Sequence, residues 1–245
     1  MINKVAVLGA GNGGQALSAH LAIIKGCEVS LFEHPKFKEN IEKINKKGGI
    51  ELTGKLKGFG EISIATTNIK EAIEGTSIIM IVAPSFAQKA FIELALPYLV
   101  NSQIIVLIPG NFGSFEIKKI LKDNGKDLII AETNSLPYAC RKIEEGKVNV
   151  WGVKSYISVA TLPAVNIKNV IEILNDFFPI PLHPVKNSLE ISFSNPNMIV
   201  HCPTMILNAG RIESTKGNFM FYCEGMTESV CKTMEKMDEE RIQIG

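Results

Sequence analysis

The sequence predicts an α/β protein with a doubly wound, mainly parallel sheet, followed by an all-helical region. Three observations carry this expectation. Short, largely apolar runs recur at Lys4–Leu8, Glu28–Phe32, Ile78–Val82, Ile104–Ile108 and Leu128–Ala131, as strands covered on both faces require. Stretches with apolar residues at helical spacing separate them. Past Pro184 the strand signals stop, and the remainder reads as helices.

Taken in order, Lys4–Leu8 ends at a glycine and is followed by Ala16, Leu17, Leu21 and Ile24 at helical spacing, with Gly26 as the stop. Glu28–Phe32 is the second strand. Phe37, Ile41 and Ile44 mark a helix closed by Gly48 and Gly49. The glycine-rich, alternating stretch from Ile50 to Thr67 predicts short strands or a hairpin. A strand at Ile78–Val82, a helix over Pro84–Leu99 and a strand at Ile104–Ile108 come next. A helix over Phe115–Leu121 and a strand at Leu128–Ala131 continue the alternation. Val148–Val153 and Tyr156–Ala160 are β-rich, and Ile167–Phe178 is helical. From Ser188 onward the pattern predicts helices broken by Pro196, Pro203 and Gly210. The expected domains are therefore residues 1–187 and residues 188–245.

The chain has 245 residues, enough to bury a substantial core without disulfides or metal. Lys+Arg 26 against Asp+Glu 25 gives a net charge of +1, so no excess of positive charge points to nucleic acid or a membrane surface. The most apolar region, Ser77–Val100, is interrupted by Pro84, Gln88, Lys89 and Glu93, which argues against a membrane span. Cys27, Cys140, Cys202, Cys223 and Cys231 are odd in number and lack the spacing of a zinc site. Reduced thiols, a cytoplasmic location and no metal are expected.

The strongest chemical signal is Gly9-Ala10-Gly11-Asn12-Gly13-Gly14, which places Gly9, Gly11 and Gly14 in a GxGxxG pattern between strand and helix. The first glycine permits a tight turn, the second lets the backbone approach a pyrophosphate, and the third lets helix and sheet pack closely. The start of the helix then offers free N–H groups to the phosphates. Glu33 ends the second strand about 20 residues further on, where a carboxylate accepts hydrogen bonds from ribose hydroxyls. The alternative is a glycine turn in an α/β protein that binds no dinucleotide. In context, these residues predict a Rossmann-type domain that binds NAD through Gly9, Gly11, Asn12, Gly13, Gly14 and Glu33. NADP is the second choice, because Lys36 and Lys38 lie nearby.

Ligands of open α/β sheets bind outside the carboxyl ends of the strands. That rule marks Ala83 and Pro84 after one strand, and Pro109, Gly110 and Asn111 after another, as further cofactor-binding candidates. Pro84 reads equally well as a proline in the first turn of a helix. In the helical region, Asn195 before Pro196 fits an N-cap, and Pro203 predicts a kink around His201. His201, with Asn197 and Asn208 near it in sequence, is a candidate acid–base group; a structural histidine is the plainer reading of the residues alone. His20, His34 and His183 sit in contexts with no comparable polar company.

Lys4–Gly14, Leu31–His34, Glu132–Arg141 and Asn195–Gly210 together resemble the opine (octopine/nopaline) dehydrogenases along essentially the whole chain. The resemblance implies a reductive condensation of an amino acid with a 2-oxo acid by a reduced nicotinamide cofactor. It implies a Rossmann domain and a helical domain with the substrate between them, His201 as the catalytic histidine, and Cys140 at the substrate entrance. Arg141, then Arg211, are the candidates for holding substrate carboxylates, although surface arginines are commoner. Asn197 and Asn208 complete the expected substrate-side set. The resemblance also implies that family members continue past Gly245, and that the carboxylate partner of the histidine lies in that later part. The chain is thus expected to be a shortened, weakly active member, and a homodimer because its last helices are left uncovered. Two other readings stay open. One is a glycerol-3-phosphate or 2-hydroxy-acid type dehydrogenase, for which no catalytic lysine motif is found. The other is an inactive dinucleotide-binding protein.

Overall fold

The computed structural model describes residues 4–244, which divide into two compact units meeting at Ser192 and Phe193. Strands β1 (Lys4–Leu8) and β2 (Glu28–Phe32) flank helix α1 (Asn12–Lys25), which ends on Gly26 in the left-handed conformation at φ 58°. Glycine adopts that backbone without penalty, which is why the helix stops there. Helix α2 (Lys38–Lys47), strands β3 (Gly49–Gly54), β4 (Gly58–Glu61) and β5 (Ile64–Thr66) and the short α3 (Ile69–Ile73) follow. Then come β6 (Ile78–Ile81), α4 (Ser85–Ala95), β7 (Ile104–Leu107), α5 (Gly113–Asp123) and β8 (Ile129–Thr133). The helix expected to run to Leu99 gives way to a 3₁₀ turn at Leu96–Tyr98, where Pro97 lacks an N–H to continue it.

The first unit closes with β9 (Tyr138–Glu144), β10 (Lys147–Val153), β11 (Ile157–Leu162), α6 (Ile167–Asn175), β12 (Leu182–Pro184) and the start of α7 (Ser188–Phe193). Eight strands form one sheet in the order β12-β11-β8-β7-β6-β1-β2-β5. Its pairings are parallel except β8 with β11. Alternate residues of the central strands feed two cores. Val5, Val7, Met80 and Val106 point to one face with Leu17 and Ile44. Ala6, Leu8, Ile79 and Leu107 point to the other with Phe91 and Ile117. Each large aliphatic side chain buried this way contributes about 1.5–3 kcal/mol, which makes the doubly covered sheet the framework of the unit.

A second, four-stranded sheet in the order β4-β3-β10-β9 was not expected from sequence. Its strands pack on α1, and a Cβ on Gly60 would lie 2.6 Å from the Ala19 Cα, so β4 rests directly on the helix backbone. The hairpin expected within Ile50–Thr67 is β3 and β4, and β9 is an addition.

In the second unit, α8 (Asn197–Leu207) runs through Pro203, and α9 (Ala209–Ser214) contains Gly210. Neither residue breaks a helix as expected. The break expected at Pro196 is present, at 194–196, and the others lie at 208 and 215–220, around α10 (Phe221–Glu224) and before α11 (Glu228–Ile244). Asn195 also precedes the helix start by one residue more than expected, yet its Oδ1 accepts from Asn197 N at 3.1 Å and still caps the first turn. Helix α11 packs on α8.

Candidate functional site

The glycine turn leaves β1 and enters α1 at the carboxyl end of the large sheet. Gly9 has φ 108°, a conformation that favours glycine, and a Cβ there would lie 2.5 Å from Val82 O. A Cβ on Gly14 would lie 1.7 Å from Gly9 O, and one on Gly13 would lie 2.6 Å from Leu136 Cδ1. Gly11 is different: a Cβ there meets nothing within 4 Å. Three glycines are thus needed for contacts inside the protein, and the fourth leaves open space beside the backbone. No side chain caps α1, and its first turn carries no acidic residue. Its first N–H groups therefore stay available to an anion, on the positive end of the helix dipole.

Glu33 lies beside this turn. Its Oε2 accepts from Ala10 N at 2.9 Å and its Oε1 from His34 N at 2.7 Å. A carboxylate offers about four acceptor positions, so two remain for ribose hydroxyls while two hold the turn. Lys38, one of the two lysines near it in sequence, pairs with Glu42 at 3.3 Å.

Asn12 turns its side chain away from the glycine turn, and its Oδ1 accepts from Lys142 N of β9 at 2.9 Å. What it offers a phosphate is its backbone N–H. Buried Gln15 makes a second tie: its Nε2 donates to Ala10 O at 2.9 Å and its Oε1 accepts from Gly146 N at 3.0 Å. Cys140 stands on β9 with its thiol 3.5 Å from Asn12 O, and burial pushes its pKa up to about 11. None of the five cysteines is in a disulfide. Because the thiolate is the nucleophile, alkylation of Cys140 is expected to be slow at neutral pH and to accelerate as pH approaches 11. Mass-spectrometric labelling that modified Cys140 as fast as exposed Cys202 at pH 7 would contradict this. Arg141, its neighbour, is exposed.

The strand-end candidates Ala83, Pro84, Pro109, Gly110 and Asn111 gather around Gln88, a buried residue that sequence reasoning did not single out. Its Nε2 donates to Pro109 O at 2.7 Å and to Ala83 O at 3.4 Å, so one side chain joins both loops. Gly110 N donates to Thr133 O at 2.9 Å. Asn111 and Phe112 both adopt positive φ, 50° and 65°, and Asn111 Nδ2 donates to Ser85 Oγ at 3.3 Å. Two consecutive left-handed non-glycine residues are uncommon and need support from their surroundings.

His20, set aside in the sequence, is buried in α1 and shares a 2.9 Å hydrogen bond through Nδ1 with Tyr138 OH. The earlier view that it lacked polar company is therefore corrected. Burial lowers its pKa to about 4, against 6.5 in an unfolded chain. The unfolded state then binds the extra proton first. Stability from this site is complete above pH 6.5 and falls as pH drops toward 4. His20→Gln is expected to flatten that part of the acid-denaturation curve, and an unchanged slope would contradict it.

In the second unit, His201 is half-buried on α8. Its Nε2 lies 3.2 Å from Tyr222 OH, and the Phe221 ring centroid is 5.5 Å away. Asn197 is exposed at the first position of α8. Asn208 donates through Nδ2 to Thr204 O at 2.8 Å and Gly225 O at 2.9 Å, which ties α8 to the end of α10. Arg211 pairs with Glu224 at 2.9 Å.

Residues 184–245 match the NAD/NADP octopine/nopaline dehydrogenase alpha-helical domain, and residues 4–110 match the NAD-dependent glycerol-3-phosphate dehydrogenase N-terminus. The opine dehydrogenase of Arthrobacter sp. (strain 1C) is 35% identical over 242 residues, covering 98% of this chain and 66% of that protein. The chain belongs to the opine dehydrogenase family. Octopine dehydrogenase of Pecten maximus is 29% identical over 177 residues, 66% of this chain and 43% of that one. A solved octopine dehydrogenase in complex with NADH and agmatine superposes with TM-score 0.67 at 25% identity, covering 89% of this chain and 56% of that chain. The PanE/ApbA family ketopantoate reductase from Ralstonia eutropha JMP134 superposes with TM-score 0.71 at 17% identity, which shows a shared fold. The glycerol-3-phosphate dehydrogenase match of this opine dehydrogenase family member covers only the dinucleotide half of the chain.

Two more residues of this opine dehydrogenase relative were given no role from the sequence: Glu132, which opens the Glu132–Arg141 stretch of the resemblance, and Tyr222. Nothing in the sequence shows that Glu132 is buried, and only three-dimensional placement puts Tyr222 against His201.

Proposed function

We propose that this chain is an NAD-dependent opine dehydrogenase that reductively condenses an amino acid with a 2-oxo acid. The observation that carries the reading is the glycine turn. Gly11 opens onto free space, α1 begins uncapped, and Glu33 lies alongside with acceptor capacity to spare. These residues suit a dinucleotide: the first turn of α1 takes the pyrophosphate and Glu33 the ribose hydroxyls. A reduced nicotinamide bound there would supply the hydride that reduces the C=N bond of the condensed substrates. His201 is the acid–base group, delivering a proton in the synthetic direction and removing it in reverse, and Tyr222 holds its Nε2. Arg141, exposed on β9, is the candidate for a substrate carboxylate, with Cys140 beside it.

The assay is NADH oxidation with an amino acid and a 2-oxo acid, each alone and together, with the product identified by mass. Oxidation that needs both substrates supports the reading. Oxidation with the oxo acid alone would replace it with a 2-hydroxy-acid dehydrogenase. Glu33 implies a preference for NADH over NADPH, whose 2′-phosphate it would repel. Glu33→Ala is expected to narrow that gap, and also to lower stability by about 1–3 kcal/mol by leaving Ala10 N–H without its acceptor. Equal or tighter NADPH binding in the unmutated protein would overturn the preference.

A cytoplasmic setting and a homodimer complete the reading. Five cysteines outside any disulfide support the first, and exposed Met205, Ile206 and Leu207 on α8 support the second. Among the described residues no helix is long and apolar enough to cross a membrane.

A further inference from the structure

Glu132 lies near the end of β8 with its side chain wholly buried. Neither carboxyl oxygen has a hydrogen-bond partner, and the hydroxyls of Ser114 and Ser188 are likewise buried and unpaired. Buried polar groups are rarely left so, and a cluster of them in one place needs an account. Burial raises the pKa of Glu132. The hydroxyls of Ser188, Ser114 and Ser192 and the Ser114 N–H lie near enough to oppose that shift, without overcoming it. Ser114 is in the first turn of α5, and Ser188 and Ser192 belong to α7.

The same carboxyl abuts the loop 109–113. A Cβ on Gly110 would lie 2.2 Å from Glu132 Oε2, so the loop backbone rests directly on this side chain. Two residues on, Phe112 N donates to Ser192 Oγ at 3.0 Å. Glu132 thus stands under a loop that carries two left-handed residues, and beside the helix that accepts one of that loop's N–H groups.

We propose that Glu132 is a positioning residue that locks loop 109–113 to α7 through Ser114, Ser188 and Ser192, and so holds the strand-end loop in the shape that meets the nicotinamide half of the dinucleotide. This rests on the reading of that loop as part of the cofactor site. A protonated carboxyl both donates and accepts, which matches hydroxyls arriving from two helices; an ionised one only accepts and is stranded away from water. No charge is among the causes of the Glu132 pKa shift. On α5, Lys118 pairs with Asp127 and Glu116 with Lys89; on α7, Glu190 accepts from Lys186 N. The folded-state pKa is raised, so the lock is complete below the ordinary carboxylate range and weakens as pH rises through the raised value.

The test combines amide hydrogen exchange at Phe112 and α7 with NADH and ADP-ribose titrations across pH. Glu132→Ala is expected to speed exchange at Phe112 and α7 and to weaken NADH by roughly tenfold, with ADP-ribose affinity unchanged because it rests on the glycine turn. Glu132→Gln, a neutral match for the protonated acid, is expected to keep the exchange protection and lose the alkaline-side fall in NADH affinity. Ser192→Ala is expected to speed exchange at Phe112 alone, and it decides the matter if Glu132→Ala does not fold. Unchanged exchange at Phe112 in folded Glu132→Ala, or in Ser192→Ala, would overturn the lock. Faster exchange with unaltered NADH affinity would support the lock and overturn the loop's place in the cofactor site.

Discussion

Replacing His201 with alanine is expected to lower turnover by roughly 10²–10⁴ while leaving NADH affinity unchanged, since general acid–base catalysis contributes about that much. The separation follows from where the groups sit. The features proposed to hold the dinucleotide are Gly9–Gly14, the start of α1 and Glu33, all in the first unit, whereas His201 is on α8 in the second. Tyr222→Phe removes only the hydroxyl 3.2 Å from His201 Nε2, so it is expected to shift the pH–rate profile with a smaller loss of turnover. Stopped-flow or steady-state NADH oxidation with both substrates, beside a fluorescence titration of NADH, reads both effects. Full turnover in His201→Ala would end the acid–base assignment, and a matching loss of NADH affinity would make the histidine structural.

The second large effect is expected at Gly11. Its backbone, φ −71° and ψ −170°, is one that valine adopts, and a Cβ there touches no protein atom within 4 Å. Gly11→Val should therefore fold normally and fail to bind NADH detectably, because its side chain fills the space the pyrophosphate needs. Gly14→Ala is the contrast. Its Cβ would lie 1.7 Å from Gly9 O, so the turn itself must shift and the melting temperature should fall with the binding. Thermal melts and NADH titrations of the two variants separate ligand space from internal packing. Wild-type NADH affinity in Gly11→Val would exclude this turn as the phosphate site.

What the sequence made legible was whatever has a local signature. Ile78–Ile81 and Ile104–Leu107 are apolar on both faces, so their strand character is written in four consecutive residues. The glycine turn and Glu33 carry a spacing tied to one chemistry. Strand β9 was missed because Tyr138–Glu144 mixes Arg141, Lys142 and Glu144 into a strand whose outer face is exposed. It pairs with β10, which follows it directly, but the sheet they belong to is completed when β10 pairs with β3, nearly a hundred residues earlier, and no local pattern records such a pairing. The roles of Gln88, Glu132 and His20 were hidden for another reason. A lone polar residue looks the same in sequence whether it faces water or lies under a loop, and only burial tells them apart.

The second sheet on α1 has a consequence for which surface loops of this protein tolerate change. Connections at the surface usually accept insertions, because few backbone groups depend on them. The β9–β10 turn at 145–146 is an exception. Gln15, the residue after the glycine motif, donates to Glu145 Oε2 at 2.5 Å, and Gly146 N donates back to Gln15 Oε1. The exposed turn at Asn101–Ser102 has no such tie to the glycine motif. Lengthening 145–146 by two residues therefore acts on the cofactor's anchorage from the far side of a helix, whereas lengthening 101–102 leaves that anchorage alone. A grafted tag or circularly permuted terminus belongs at 101–102, and a chain reopened at 145–146 would carry a loosened α1.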